Sequence, residues 1–128
     1  MFELSVCREF RAVHAITMGG VREESHDHRW RVRAVVRGDR LDSDGLLCDF
    51  HRIERELESV LDLLRGRDLN RTPPFDRVNP TAENVARHIA EGISQRIPEG
   101  VSLKSVSVTE APGCTATFVT EEPSDATR

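Results

Sequence analysis

The chain has 128 residues, with 18 Lys plus Arg against 22 Asp plus Glu, so its net charge is −4. That length holds one two-layer core rather than two; the acidic balance without a basic stripe argues against a nucleic-acid partner, and no apolar run approaches the roughly 20 residues of a membrane span. The start MFELSVCREF lacks the basic-then-apolar shape of a signal peptide, and Cys7, Cys48 and Cys114 share no CxxC spacing, read as small buried apolar side chains and fit a reducing compartment, so a cytoplasmic protein is expected.

Residues 2–13 place Phe2, Leu4, Val6, Phe10, Ala12 and Val13 at a period near two, which predicts a half-buried strand with one irregularity. Residues 18–25 contain Gly19-Gly20 and read as a loop, and residues 28–37 alternate cleanly as a second strand. A turn-rich connection, 38–45, follows. From Asp49 as N-cap, Phe50, Ile53, Leu57, Val60, Leu61 and Leu64 form one apolar helical stripe. The prolines of residues 70–80 cannot continue a helix. Thr81 caps a second helix whose Val85, Ile89, Ile93 and Ile97 keep one face apolar up to Pro98. Residues 101–110 alternate strictly, Pro112-Gly113 marks a turn, and residues 115–120 are β-prone. The order ββααββ predicts an α+β fold: a four-stranded antiparallel sheet with two helices on one face. Residues 1–120 read as a single domain and residues 121–128 as a flexible tail. Such a sheet leaves its edges and second face open, which points to a homo-oligomer.

His26-Asp27-His28 is the pattern richest in chemistry. On an extended segment His26 and His28 point to one side and Asp27 to the other. A bare His-x-His is a common surface pattern, but pairing of the first two strands would bring His14 opposite His28 and complete a three-His site. Three protein ligands leave a fourth position for water or substrate, the catalytic rather than the structural arrangement of zinc.

Several ordered motifs resemble those of the 6-pyruvoyl-tetrahydropterin synthase and 6-carboxy-tetrahydropterin synthase family. Phe10-Arg11-Ala12-Val13-His14 is similar to Phe-Ser-Ala-Ala-His, His26-Asp27-His28-Arg29-Trp30 to His-Gly-His-Asn-Tyr, and Gly45-Leu46-Leu47-Cys48-Asp49-Phe50 to Gly-Met-Val-x-Asp-Phe. Leu69-Asn70, Pro80-Thr81-Ala82-Glu83-Asn84 and the strand end Thr109-Glu110 also match. The resemblance implies the tunnelling fold, assembled as trimers stacked into hexamers, a pterin-like small molecule as substrate, and Zn2+ on His14, His26 and His28. It also implies that Glu110 anchors the pterin ring, a role suited to a carboxylate that accepts two parallel hydrogen bonds.

Two departures stand out. Where the usual enzymes carry a cysteine base before His-x-His, this chain has Gly20 and Arg22. A subgroup that forms 6-hydroxymethyl-dihydropterin uses Glu-x-x-His instead, and Glu23 fits that form, with partial burial expected to raise its pKa while the cation pulls it down, and Glu24 as a second candidate. The family's Asp-His-x-x-Leu-Asn appears as Arg65-Gly66-Arg67-Asp68-Leu69-Asn70, without either relay residue. His51 and His88 fall beside the apolar stripes of their helices and are expected at the surface. Asp27 replaces a family glycine and can tolerate a left-handed backbone. The expected activity is that of a zinc-dependent lyase or synthase acting on 7,8-dihydroneopterin triphosphate or a related heterocycle. The alternative is a retired or repurposed pterin- and zinc-binding homologue.

Overall fold

The computed structural model describes residues 1–120; the expected tail, 121–128, lies outside them. Strand β1 (Phe2–His14) is followed by a miniature hairpin, β2 (Thr17–Met18) and β3 (Val21–Arg22), and by β4 (His26–Gly38). Helices α1 (Phe50–Leu61) and α2 (Ala82–Ser94) flank a 3-10 turn, Leu69–Arg71, and β5 (Ser102–Ala111) and β6 (Cys114–Val119) follow. The main sheet is antiparallel, in the order β1-β4-β5-β6. Among the described residues, no helix is long and apolar enough to cross a membrane.

The expected irregularity in β1 is absent. Its register with β4 runs without a shift from Phe2↔Gly38 to His14↔His26. What interrupts the apolar pattern is Arg8, which keeps the core-side parity of Val6 and Phe10 and is ion-paired to Glu54 and Glu58 of α1. Trp30, Val32, Ala34 and Val36 of β4 and Val106 and Val108 of β5 are buried on the same side, against Ile53, Leu57, Val85, Ile89 and Ile93 of the helices. Each large apolar side chain so buried contributes roughly 1.5–3 kcal/mol of transfer free energy.

Both expected caps form. Asp49 accepts from the His51 backbone N–H at 2.9 Å and Thr81 from that of Asn84 at 3.1 Å. The apolar stripe of α1 begins later than expected, because Phe50 at the first turn is 48% exposed. Helix α2 stops at Ser94, and Ile97 packs against the core from beyond its end. The predicted loop at 18–25 contains the β2–β3 hairpin. Its turn uses Gly19 and Gly20 at φ 58° and 81°, the pair of positive values that a two-residue hairpin with the twist of its strands requires. All three cysteines are free, and the expectation that they are buried fails: Cys7 and Cys114 are exposed, and Cys48 is half-buried. Cys7 lies on the helix-free parity of β1, and Cys114 opens the edge strand β6.

Candidate functional site

The site lies where β1 ends and β4 begins. Since His14 is paired with His26, and His28 lies two residues further along β4, all three rings share the core-side parity of Trp30. The expected pairing of His14 with His28 is therefore two residues out of register; Ala12 is the partner of His28. A shift of two preserves the face. The His14 and His28 rings accordingly still meet edge to face, with centroids 5.1 Å apart. Trp30 forms the floor, 4.7 Å from the His14 ring, and its indole N–H donates to the Ala12 carbonyl at 3.2 Å.

His14 is fully buried. Its Nδ1 lies 2.8 Å from the carbonyl oxygen of Pro80. A carbonyl only accepts, so Nδ1 carries the hydrogen and Nε2 is turned inward. There it lies 3.0 Å from Glu110 Oε1, which is also 3.3 Å from His28 Nε2. Glu110 reaches this point from the end of β5, where a bulge between Thr109 and Ala111 leaves it without a β6 partner, a common way to aim a side chain at a site. His14, His28 and Glu110 offer ligand atoms within 4.8 Å of one another.

This donor set suits a metal ion. A neutral His14 with its hydrogen on Nδ1 presents a lone pair at Nε2, and the carboxylate oxygen opposite presents another. Only a positive centre, a proton or a metal cation, makes such an approach favourable. Donors held about 2.0–2.1 Å from a tetrahedral zinc ion lie about 3.3 Å apart; the two contacts to Glu110 are of that length, 3.0 and 3.3 Å, while the set as a whole spans up to 4.8 Å and would draw in around an ion. The Nδ1–H to carbonyl bond is also the second-shell arrangement that orients metal-bound imidazoles.

His26 stands outside that set. Its ring stacks near that of His28, with centroids 5.6 Å apart, and its Nε2 faces Glu23 Oε2 at 3.4 Å. Glu23 is held at its other oxygen by the Ile16 backbone N–H at 3.1 Å. That hydrogen bond, aided by the nearby His26, holds the carboxyl below the usual carboxylate range. The rise expected from burial is thus outweighed. Glu24 is exposed and stands outside the cluster.

Asp27 is extended, so the tolerance of a left-handed backbone is not called upon; its carboxylate accepts from Arg11 at 2.7 Å on the opposite face. The segment in the relay position is structural. Gly66 N–H donates to the Arg11 carbonyl at 2.6 Å and Val13 N–H to that of Arg67 at 2.9 Å, while Arg65 pairs with Glu58 and Asp62. His51 is exposed as expected. His88 is half-buried against Phe75, and burial lowers its pKa.

Residues that the sequence did not single out individually hold the site together. Asn70 and Asn79 each grip the backbone after β1 with both amide atoms, Asn70 at Ala15 and Asn79 at Thr17. Their only sequence signal was membership in, or adjacency to, the Leu69-Asn70 and Pro80–Asn84 motifs.

The profile of the 6-pyruvoyl tetrahydropterin synthase family matches residues 3–121, and the chain belongs to that family. A dihydroneopterin monophosphate aldolase of Pyrococcus furiosus is 34% identical over 101 residues, 79% of this chain and 82% of the relative. Among solved structures, the 6-pyruvoyl tetrahydropterin synthase of Caenorhabditis elegans superposes with a TM-score of 0.83 at 20% identity, covering 94% of this chain and 96% of that one. The Plasmodium vivax enzyme gives 0.78 at 20% identity over 91% and 96%. The architecture is the tunnelling fold.

Proposed function

We propose that the protein is a zinc-dependent pterin lyase that cleaves the side chain of a 7,8-dihydroneopterin phosphate ester in an aldolase-type reaction. The observation that carries this reading is the convergence of His14 Nε2, His28 Nε2 and Glu110 Oε1 with His14 Nδ1 already committed to Pro80. The Pyrococcus relative, an aldolase by name, supports the choice of reaction class.

His14 and His28 would hold the ion, with His26 as third ligand once Glu110 leaves the cluster for the pterin ring, where it would accept from the amino group and adjacent N–H. Bound zinc supplies a Lewis acid that acidifies a substrate hydroxyl and polarises the carbonyl that forms from it. Glu23 is the base, and its position between the Ile16 N–H and His26 keeps it ionised and aimed. Its Oε2 takes the proton of the hydroxyl beyond the scissile carbon–carbon bond. As that carbon becomes an aldehyde, the bond's electron pair passes to the carbon attached to the ring, conjugated with the dihydropterin C=N. Return of a proton there gives 6-hydroxymethyl-dihydropterin, and no oxidant is needed. Glu24 is the reserve base. The working unit is a homo-oligomer, trimer or hexamer, whose contacts cover open strand edges.

One observation favours a second reading, a pterin- and zinc-binding protein without turnover. The relay position holds Arg65 and Gly66, which are engaged with α1 and β1 rather than with the site. Purified zinc-loaded protein incubated with dihydroneopterin monophosphate and triphosphate separates the two. Formation of 6-hydroxymethyl-dihydropterin, lost in Glu23→Gln, supports the lyase; tight binding without product supports the second reading.

A further inference from the structure

The base candidate does not stand on a strand of the main sheet, and something must hold it. Glu23 N–H donates to the Ile16 carbonyl at 3.0 Å, and Ile16 N–H donates back to Glu23 Oε1 at 3.1 Å. Ile16 is therefore the frame of the carboxylate. Its two neighbours are each held by one asparagine side chain in a two-way grip. Ala15 N–H donates to Asn70 Oδ1 at 2.8 Å while Asn70 Nδ2 donates to the Ala15 carbonyl at 2.9 Å. Thr17 N–H donates to Asn79 Oδ1 at 3.0 Å while Asn79 Nδ2 donates to the Thr17 carbonyl at 2.8 Å.

Three consecutive backbone N–H groups are thus bound by side chains, and the carboxamide is the group for the task because it accepts and donates at once. Asn79 carries a second connection. Its own carbonyl accepts from Asn84 Nδ2 at 2.9 Å, and the next residue, Pro80, supplies the carbonyl that fixes the His14 ring. Asn79 therefore lies between the base and a ligand, with a hydrogen-bonded path to each.

We propose that Asn79 is a positioning residue that sets the Glu23 carboxylate through Thr17 and Ile16. The role of Glu23 in it rests on the function proposed above. Asn70 anchors the other end of the same strap from a more buried place, so Asn79 is the better residue to alter.

The test uses the zinc-loaded full chain with Asn79→Ala and Asn79→Asp. The second variant keeps the volume, loses the donor and sets a carboxylate against the Thr17 carbonyl, so it serves if the alanine variant folds poorly. Amide hydrogen exchange read by NMR is expected to quicken about tenfold or more at Ile16 and Thr17, with Val32 in β4 unchanged. With dihydroneopterin monophosphate, kcat falls about 10–100-fold while KM and zinc content stay within about twofold. In Glu23→Gln the same Asn79 change costs less than about twofold more, because both act through one group. Unchanged exchange at Ile16, or losses that multiply in full, overturns the proposal. If the unaltered protein turns over no pterin, the lyase reading fails, and the exchange data alone still decide whether Asn79 holds the frame of Glu23.

Discussion

His14 and Glu110 meet at 3.0 Å across 96 positions of chain, one from the end of β1 and the other from the bulge that ends β5. Both strands flank β4, and the contact spans it above Trp30. The short distance follows from a ring whose other nitrogen is already occupied by Pro80 and which can present only Nε2. Removing either His14 or His28 is therefore expected to abolish stoichiometric zinc binding, as read by metal analysis after dialysis.

His26 and Glu110 are the two candidates for the third place on a bound ion, and their variants are expected to respond in opposite ways. His26→Ala is expected to lose zinc, while Glu110→Gln keeps zinc and loses affinity for the pterin. Metal analysis with ligand titration checks both. Retention of zinc in His26→Ala with its loss in Glu110→Gln would reassign the third ligand to the carboxylate.

Glu23→Gln is expected to lower kcat about 10²–10⁴-fold with zinc content preserved. Its carboxyl is held below the usual range by the Ile16 N–H and His26. The base form is therefore complete at neutral pH and is lost only as pH falls through that lowered value. A kcat profile should show no loss from Glu23 between about pH 6 and 8.

His88 gives a pH dependence of stability. Burial lowers its pKa from the ordinary 6.5, with Glu91 opposing. The unfolded chain then binds the proton more readily than the folded one, so the contribution is whole above the unfolded value and declines as pH falls through it. Denaturant unfolding is expected to show a smaller decline between about pH 7.5 and 5.5 in His88→Gln than in the unaltered protein. An equal decline in the two would locate the effect elsewhere.

Trp30→Phe removes the indole N–H from the Ala12 carbonyl and part of the floor beneath His14 and His28. Ala12 keeps its ladder pairing with His28, so the loss is one net hydrogen bond, about 0.5–1.5 kcal/mol. A loss of that size in urea unfolding, accompanied by weaker zinc binding, is the expected result.

The element order, both caps and the apolar faces were legible because each rests on local periodicity: Ile53, Leu57 and Val60 on α1, Val85, Ile89 and Ile93 on α2, and Trp30 to Val36 on β4. The shared side of His14, His26 and His28 was legible for the same reason. The partner of His14 was not, since the pairing depends on how far each strand extends toward the loop, and β4 begins at His26 rather than His28. Arg8 misled the pattern because a core-side arginine is tolerated only where Glu54 and Glu58 await it from a helix some 46 residues on. The asparagine grips were invisible for a similar reason: they join loops, where no period exists to be read. The β2–β3 hairpin, by contrast, had its signal in Gly19-Gly20.

The unbroken thirteen-residue pairing of β1 makes correct folding and a competent centre one event. A slip of β1 by a single step would carry the His14 imidazole to the helix-free side together with Phe10 and Val6, away from His28, stripping the hydrophobic interior at the same moment. No partly folded chain with the strands misaligned could then keep a working centre while lacking a sound core. The fraction of molecules able to load metal should equal the fraction that resists protease.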